Sequence, residues 1–249
     1  MIFSPSFASF TKALNLTLSR ALPLRKLPSL QLQTCYLCGC SSQSQVCKPC
    51  IQDMPFLPNN LPADLNLLSQ AKIADSIVHE HFDNLYVPLA YQWPVSTLIK
   101  DLKFARKIIL AKELGQLTAK HLHCIANNFS MAEAIIPVPL HPKRFRQRKY
   151  NQAFLVANEI SKSLKVPILT NVCERVHYTV PQTELTGKKR RKNTKAAFYS
   201  KGLLDFQHIA IVDDVITTGA TVNNLAKSLK QANPHITIDV WAIAISLHC

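Results

Sequence analysis

The 249-residue chain is 47% hydrophobic and 18% charged, enough apolar material for one sizeable core with a small accessory module and too much for a disordered polymer. Its formal charge is +14, from 29 Lys and Arg against 15 Asp and Glu. No run approaches the roughly 18 uninterrupted apolar residues that a membrane-spanning helix requires, so no spanning segment is expected.

The first 34 residues are rich in Ser and Leu, contain Lys12, Arg20, Arg25 and Lys26, and lack any acid. They read as a basic amphipathic arm, an organellar transit sequence or a flexible tail. Next come Cys35-x-x-Cys38 and Cys47-x-x-Cys50, four of the eight cysteines. Each pair forms a tight turn presenting two thiolates, and the intervening spacer closes a tetrahedral four-sulfur zinc site, ahead of an iron–sulfur cluster or redox use. Such a site has no open coordination position, which points to structure or recognition instead of catalysis. Cys40 is a spare thiol beside it. With no signal peptide ahead of the cysteines, a reducing, cytoplasmic setting is expected.

Pro55, Pro58 and Pro62 mark a linker after the cysteine module. Leu85 to Trp93 alternates weakly and holds Pro88, which suits an edge strand or a hairpin. Leu98, Leu102 and Ala105, then Leu110, Leu114 and Leu117, recur at helical spacing and predict two short helices or one bent one. Ala134 to Val138 reads as a buried strand followed by a basic loop. Asn151 caps a helix with Ala153, Val156, Ala157, Ile160 and Leu164 inward, and Val166 to Leu169 follows as a short strand. A second unit repeats the order: strand His208 to Val212, helix Val222 to Leu229, strand Ile236 to Ile245. Alternation of this kind predicts an α/β fold with a doubly wound parallel sheet. The chain is thus divided into an arm (1–34), a cysteine module (35–55), a linker and hood segment (56–130) and a main α/β domain (131–249).

In an open parallel sheet ligands bind beyond the carboxyl ends of the strands, where Asp213-Asp214 precedes Thr217-Thr218-Gly219-Ala220-Thr221 and a helix. Gly219 lets the backbone bend close to a ligand, while successive amides, the helix N-terminus and three threonine hydroxyls favour a phosphate. The adjacent carboxylates suit ribose hydroxyls, or a divalent cation bound to those hydroxyls. The lysine of a nucleotide-binding P-loop is missing. These features together describe a cradle for a phosphorylated sugar.

The stretch from Ile211 to Thr221 resembles the hallmark of the type I phosphoribosyltransferases. Pro137-Val138-Pro139-Leu140-His141, Arg146-x-Arg148-x-Tyr150-Asn151-Gln152 and the spaced set Thr179, Gln182, Leu185, Arg190, Asn193, Ala197 and Phe198 narrow the resemblance to the ComF family, which includes competence-associated and GntX-like proteins. That resemblance implies a type I phosphoribosyltransferase fold with a zinc-ribbon-like N-terminal module. It also implies a site for phosphoribosyl diphosphate built from Asp213, Asp214, Val215, Thr217, Thr218, Gly219, Ala220 and Thr221, with the two aspartates catalytic and magnesium accompanying the ligand. The family usually has Gly where this chain has Lys149, so a positive φ there carries strain.

Between His141 and Lys201 fifteen Lys or Arg face three acids, a net of +12. Such a block attracts polyanions or simply forms a solvated face. His141, Lys143, Arg144, Arg146 and Arg148 are candidates to receive a diphosphate leaving group. Thr179 to Asn193, with Gln182 and Arg190, reads as a mobile flap or a surface loop. Two functions compete: a magnesium-dependent phosphoribosyltransferase, and a non-catalytic competence factor that binds single-stranded DNA and senses phosphoribosyl diphosphate. Family resemblance adds partners from the DNA-uptake machinery. Phe145, Tyr150, Tyr178 and Tyr199 are candidates to stack bases. No helix-turn-helix pattern supports a regulator.

Overall fold

The structure, a computed structural model, describes residues 33–57, 66–126, 130–176, 197–200 and 205–246. The N-terminal arm up to residue 32 and the flap candidates Tyr178, Thr179, Gln182, Leu185, Arg190 and Asn193 lie outside these residues.

A short antiparallel pair, β1 (Gln33–Thr34) and β2 (Ser41–Ser42), precedes helix α1 (Lys48–Gln52). A 3-10 turn, Leu67–Ser69, and helix α2 (Ala71–Ala74) lead into β3 (Asn84–Tyr86) and β4 (Leu89–Ala90). Helices α3 (Val95–Phe104) and α4 (Leu110–Ile125) follow, then β5 (Ala134–Pro137), α5 (Pro142–Arg148) and α6 (Gln152–Leu164). The chain continues through β6 (Cys173–Arg175), β7 (Phe198–Ser200), β8 (His208–Ile216), α7 (Ala220–Ala232) and β9 (Thr237–Ile245).

The central sheet has the order β3-β9-β8-β5, with β4 also on β9, and every pair is parallel. A parallel bridge from Ile135 to Ile168 extends it where the short strand at Val166 to Leu169 is expected. The segment from Leu85 to Trp93 is an edge strand and not a hairpin: β3 and β4 both run along β9, separated by Val87 and Pro88, where the missing amide interrupts the ladder.

Parallel strands buried on both faces need apolar residues throughout, and β8 and β9 supply them. On one face Leu98, Ile99 and Leu102 of α3, Leu110, Leu114 and Leu122 of α4, and Val156, Ala157 and Ile160 of α6 pack over Ile135, Val212, Trp241 and Ile243. On the other, Val222, Leu225, Ala226 and Leu229 of α7 cover Ile136, Ile211 and Val240. The expected α/β architecture is therefore present, with helices on both faces. Gly115 sets the approach of α4 to α6, because a Cβ there would stand 2.7 Å from Cβ of Glu159 and 3.0 Å from the Val156 carbonyl. Asn151 caps α6 as expected, its side chain accepting the Ala153 amide at 3.0 Å.

Two local expectations are corrected. The basic loop after residue 140 is a helix, α5, started by Pro142 and by His141, whose Nδ1 accepts the Lys143 amide at 3.2 Å. The acidic pair lies inside β8, which continues through Val215 and Ile216 because these pair with Ala244 and Ile245 of β9.

Candidate functional site

Gly219 ends the turn between β8 and α7 with a φ of 70°. A side chain there would also collide with Ile77 and sit 2.7 Å from the Val78 carbonyl. The glycine thus serves two needs: the left-handed turn, and close passage of the segment at Ile77 and Val78, whose Val78 amide donates to the Thr218 carbonyl at 2.9 Å. No side chain caps α7, so its first-turn amides face a depression lined by Asp213, Val215, Thr217, Thr218, Gly219, Ala220 and Thr221. Asn223, one turn into α7, accepts the His81 amide at 2.9 Å and fixes the segment flanking the loop.

Successive residues of a strand point to opposite faces, and this separates the acidic pair. Asp213 lines the depression. Asp214 is only 3% exposed and meets Lys103 of α3, with Nζ 2.8 Å from its Oδ1. Burial together with the Asp214 charge pushes the Asp213 carboxyl up to about 7, opposed by Lys103 and Arg175. At neutral pH Asp213 therefore exchanges between a form that accepts hydrogen bonds only and one that also donates.

Of the basic residues expected at the site, Arg144 and Arg148 occupy one half-buried face of α5 at i and i+4, while Lys143 and Arg146 are exposed. Arg148 feels the field of Asp214, donates to Gln152 Oε1, and lies 5.3 Å above the Phe104 ring; burial lowers its pKa. His141 is the N-cap of α5. The Tyr150 hydroxyl donates to the Leu102 carbonyl and ties the end of α5 to α3. Two cations of the site have no motif to announce them. Lys103 sits in a helix read only for its apolar face, and Arg175, near Asp213 and Arg144 and 5.3 Å from the Phe198 ring, ends β6. β6 pairs antiparallel with β7, so the described residues on either side of the flap candidate stand together.

The sulfurs of Cys35, Cys38, Cys47 and Cys50 all lie within 4.8 Å of one another. The Cys38–Cys47 separation of 3.7 Å matches the edge of about 3.8 Å expected for a tetrahedron with bonds of about 2.3 Å. The four residues therefore fit a closed metal site. Gly39, at φ 74°, makes the first turn, and Cys47 stands at the N-terminus of α1. Burial raises the Cys35 thiol, yet amides of Cys38, Cys47 and Leu37 outweigh it and bring it down to about 6. Cys40 and Cys124 are exposed and Cys173 is buried, all three outside the cluster. The module docks on the main core through Val46 and Met54, and the Tyr36 hydroxyl donates to Asp101 of α3 at 2.9 Å.

No family model matches the chain. Competence protein F of Haemophilus influenzae is 37% identical over 172 residues, spanning 66% of this chain and 73% of that protein. The chain belongs to the ComF family. A further relative, the DNA utilization protein YhgH of Escherichia coli O157:H7, is 34% identical over 159 residues, 63% of this chain and 70% of its own. A hypoxanthine/guanine phosphoribosyltransferase of Methanosarcina barkeri shares 40% identity over 75 residues, 30% of this chain and 38% of that enzyme. Among the described residues no helix of this ComF-family chain is long and apolar enough to cross a membrane.

Proposed function

We propose that this ComF-family chain binds phosphoribosyl diphosphate with magnesium and acts as a phosphoribosyltransferase-like enzyme in the cytoplasmic handling of DNA during natural transformation. The observation that carries this reading is the loop from Asp213 to Thr221, where an uncapped helix start, threonine hydroxyls and one half-buried carboxyl group line a single depression. The ribose phosphate rests on the amides and hydroxyls of Thr217 to Thr221, and the ribose hydroxyls face Asp213. Arg144 and Arg148 receive the diphosphate as its bond to the anomeric carbon lengthens. A magnesium ion held with the ligand beside Asp213 would supply charge neutralisation of the leaving group. The competence and DNA-utilization names of the relatives support the cellular role. Zinc is the ion proposed for the four cysteines, in a structural part. A diphosphate-release assay across candidate acceptors is the test: release by the natural protein and its loss in Asp213→Asn are expected, whereas equal release from both proteins would overturn the assignment.

One observation favours a second activity, binding of single-stranded DNA. Phe104 is 73% exposed beneath the Arg148 guanidinium, and Phe145 is 49% exposed on the same basic helix α5 as Arg144 and Arg146. Aromatic faces among cations stack bases while neutralising phosphates. Affinity for an oligonucleotide should then fall steeply with salt and weaken in Phe104→Ala; a flat salt response rules this out.

A further inference from the structure

Asp213 and Asp214 are adjacent in sequence but occupy different surroundings. Asp213 lines the depression, facing Asp214, Lys103 and Arg175. Asp214 is buried against α3 with Lys103 Nζ 2.8 Å from Oδ1 and Arg148 of α5 nearby, while its Oδ2 is buried and accepts no hydrogen bond from the described residues. A carboxylate so placed keeps its charge only with a cation held against it. That cation is held firmly, because each neighbour of Lys103 is anchored. The Asp101 carboxylate accepts the Tyr36 hydroxyl, the Leu102 carbonyl accepts the Tyr150 hydroxyl, and the Phe104 ring lies beneath Arg148.

We propose that Lys103 is a positioning residue of the phosphoribosyl site: its ammonium group holds the Asp214 carboxylate against α3, away from the depression, so that Asp213 alone offers a carboxyl group to the sugar. The inference rests on the proposed ligand and assigns to one aspartate a role that the family resemblance gives to both. Lys103 stabilises the charge on Asp214, and that charge adds to burial in raising Asp213.

The pairing is tested without any ligand by carbon-13 NMR of aspartate-labelled protein, with the two carboxyl signals assigned through Asp213→Asn and Asp214→Asn. In the natural protein Asp213 should titrate near neutrality. Lys103→Met should displace that titration, and Lys103→Arg should preserve it; an Asp213 titration unchanged in Lys103→Met overturns the proposal. If Lys103→Met does not fold, the double variant Lys103→Met/Asp214→Leu removes both charges together. Asp213 should then titrate at lower pH, and an unmoved Asp213 overturns the proposal equally.

Calorimetry with phosphoribosyl diphosphate and magnesium supplies the functional arm. Lys103→Met should weaken binding by roughly tenfold or more, the cost of a charge-assisted contact, and displace its pH dependence, with Lys103→Arg restoring both. Binding by Lys103→Met as tight as that of the natural protein, with the same pH profile, overturns the positioning role. Absence of binding to the natural protein overturns the proposed ligand, and the NMR titration of Asp213 still decides the pairing.

Discussion

Lys149 ends α5 with φ 71° and ψ 0°, one residue after Arg148. The left-handed region costs a residue with a Cβ on the order of 1 kcal/mol, so Lys149→Gly should raise stability by about 0.5–1 kcal/mol in urea unfolding. A destabilised variant would show that the lysine side chain contributes more than its backbone costs. This strain is legible in the sequence, because the family resemblance places Gly there. Gly219 is legible as well, although its neighbours are Ile77 and Val78 in addition to the proposed ligand. Lys103 and Arg175 are not, since each reaches the acidic pair through tertiary packing from an element far from it in sequence. No spacing rule encodes such a meeting.

At the scale of elements, α3 joins two sites. Asp101 receives Tyr36 of the cysteine module and Lys103 receives Asp214 of β8. The module is too small to hold its own fold by burial, so the ion and the folding of residues 33–57 are expected to be linked. One zinc per chain should be found by elemental analysis. Chelation, or Cys38→Ser, should lower stability by several kcal/mol in urea unfolding and expose residues 33–57 to protease. A chain that carries no metal and unfolds identically with chelator would contradict the assignment. Element types in the second half are legible because their apolar periods differ. The basic helix α5 reads as a loop because four cations in seven residues mask any period, although Pro142 at its start is an available signal. An acidic pair likewise reads as the end of a strand, whereas pairing with β9 carries β8 on to Ile216.

Across the whole molecule the two ends of the sheet differ in kind. The carboxyl ends hold the depression and its cations. The amino ends hold a closed network in which buried Asp239 meets His208 at 2.9 Å and accepts from Asn84 at 2.8 Å, while Asp83 meets Lys230 at 3.0 Å and accepts the Ile238 amide. The Asp239 carboxylate beside its Nε2 raises the His208 pKa against the opposing effect of burial, with further help from the charges of Glu133 and Asp83. A raised folded-state value means that the stabilisation is complete below the ordinary imidazole pKa of about 6.5 and disappears as pH rises through the raised value. Relative to His208→Gln, the natural protein should lose its advantage as pH rises from the ordinary imidazole range through the raised value. A constant difference would exclude a charged His208.

The division into a braced amino end and a carboxyl end proposed to bind the ligand leads to one decisive measurement. Isothermal titration of the full chain with phosphoribosyl diphosphate and magnesium should give saturable binding at one site per chain, weakened strongly by Asp213→Asn. No heat of binding, or equal affinity in Asp213→Asn, would contradict the assignment of the loop from Asp213 to Thr221 as a phosphoribosyl site.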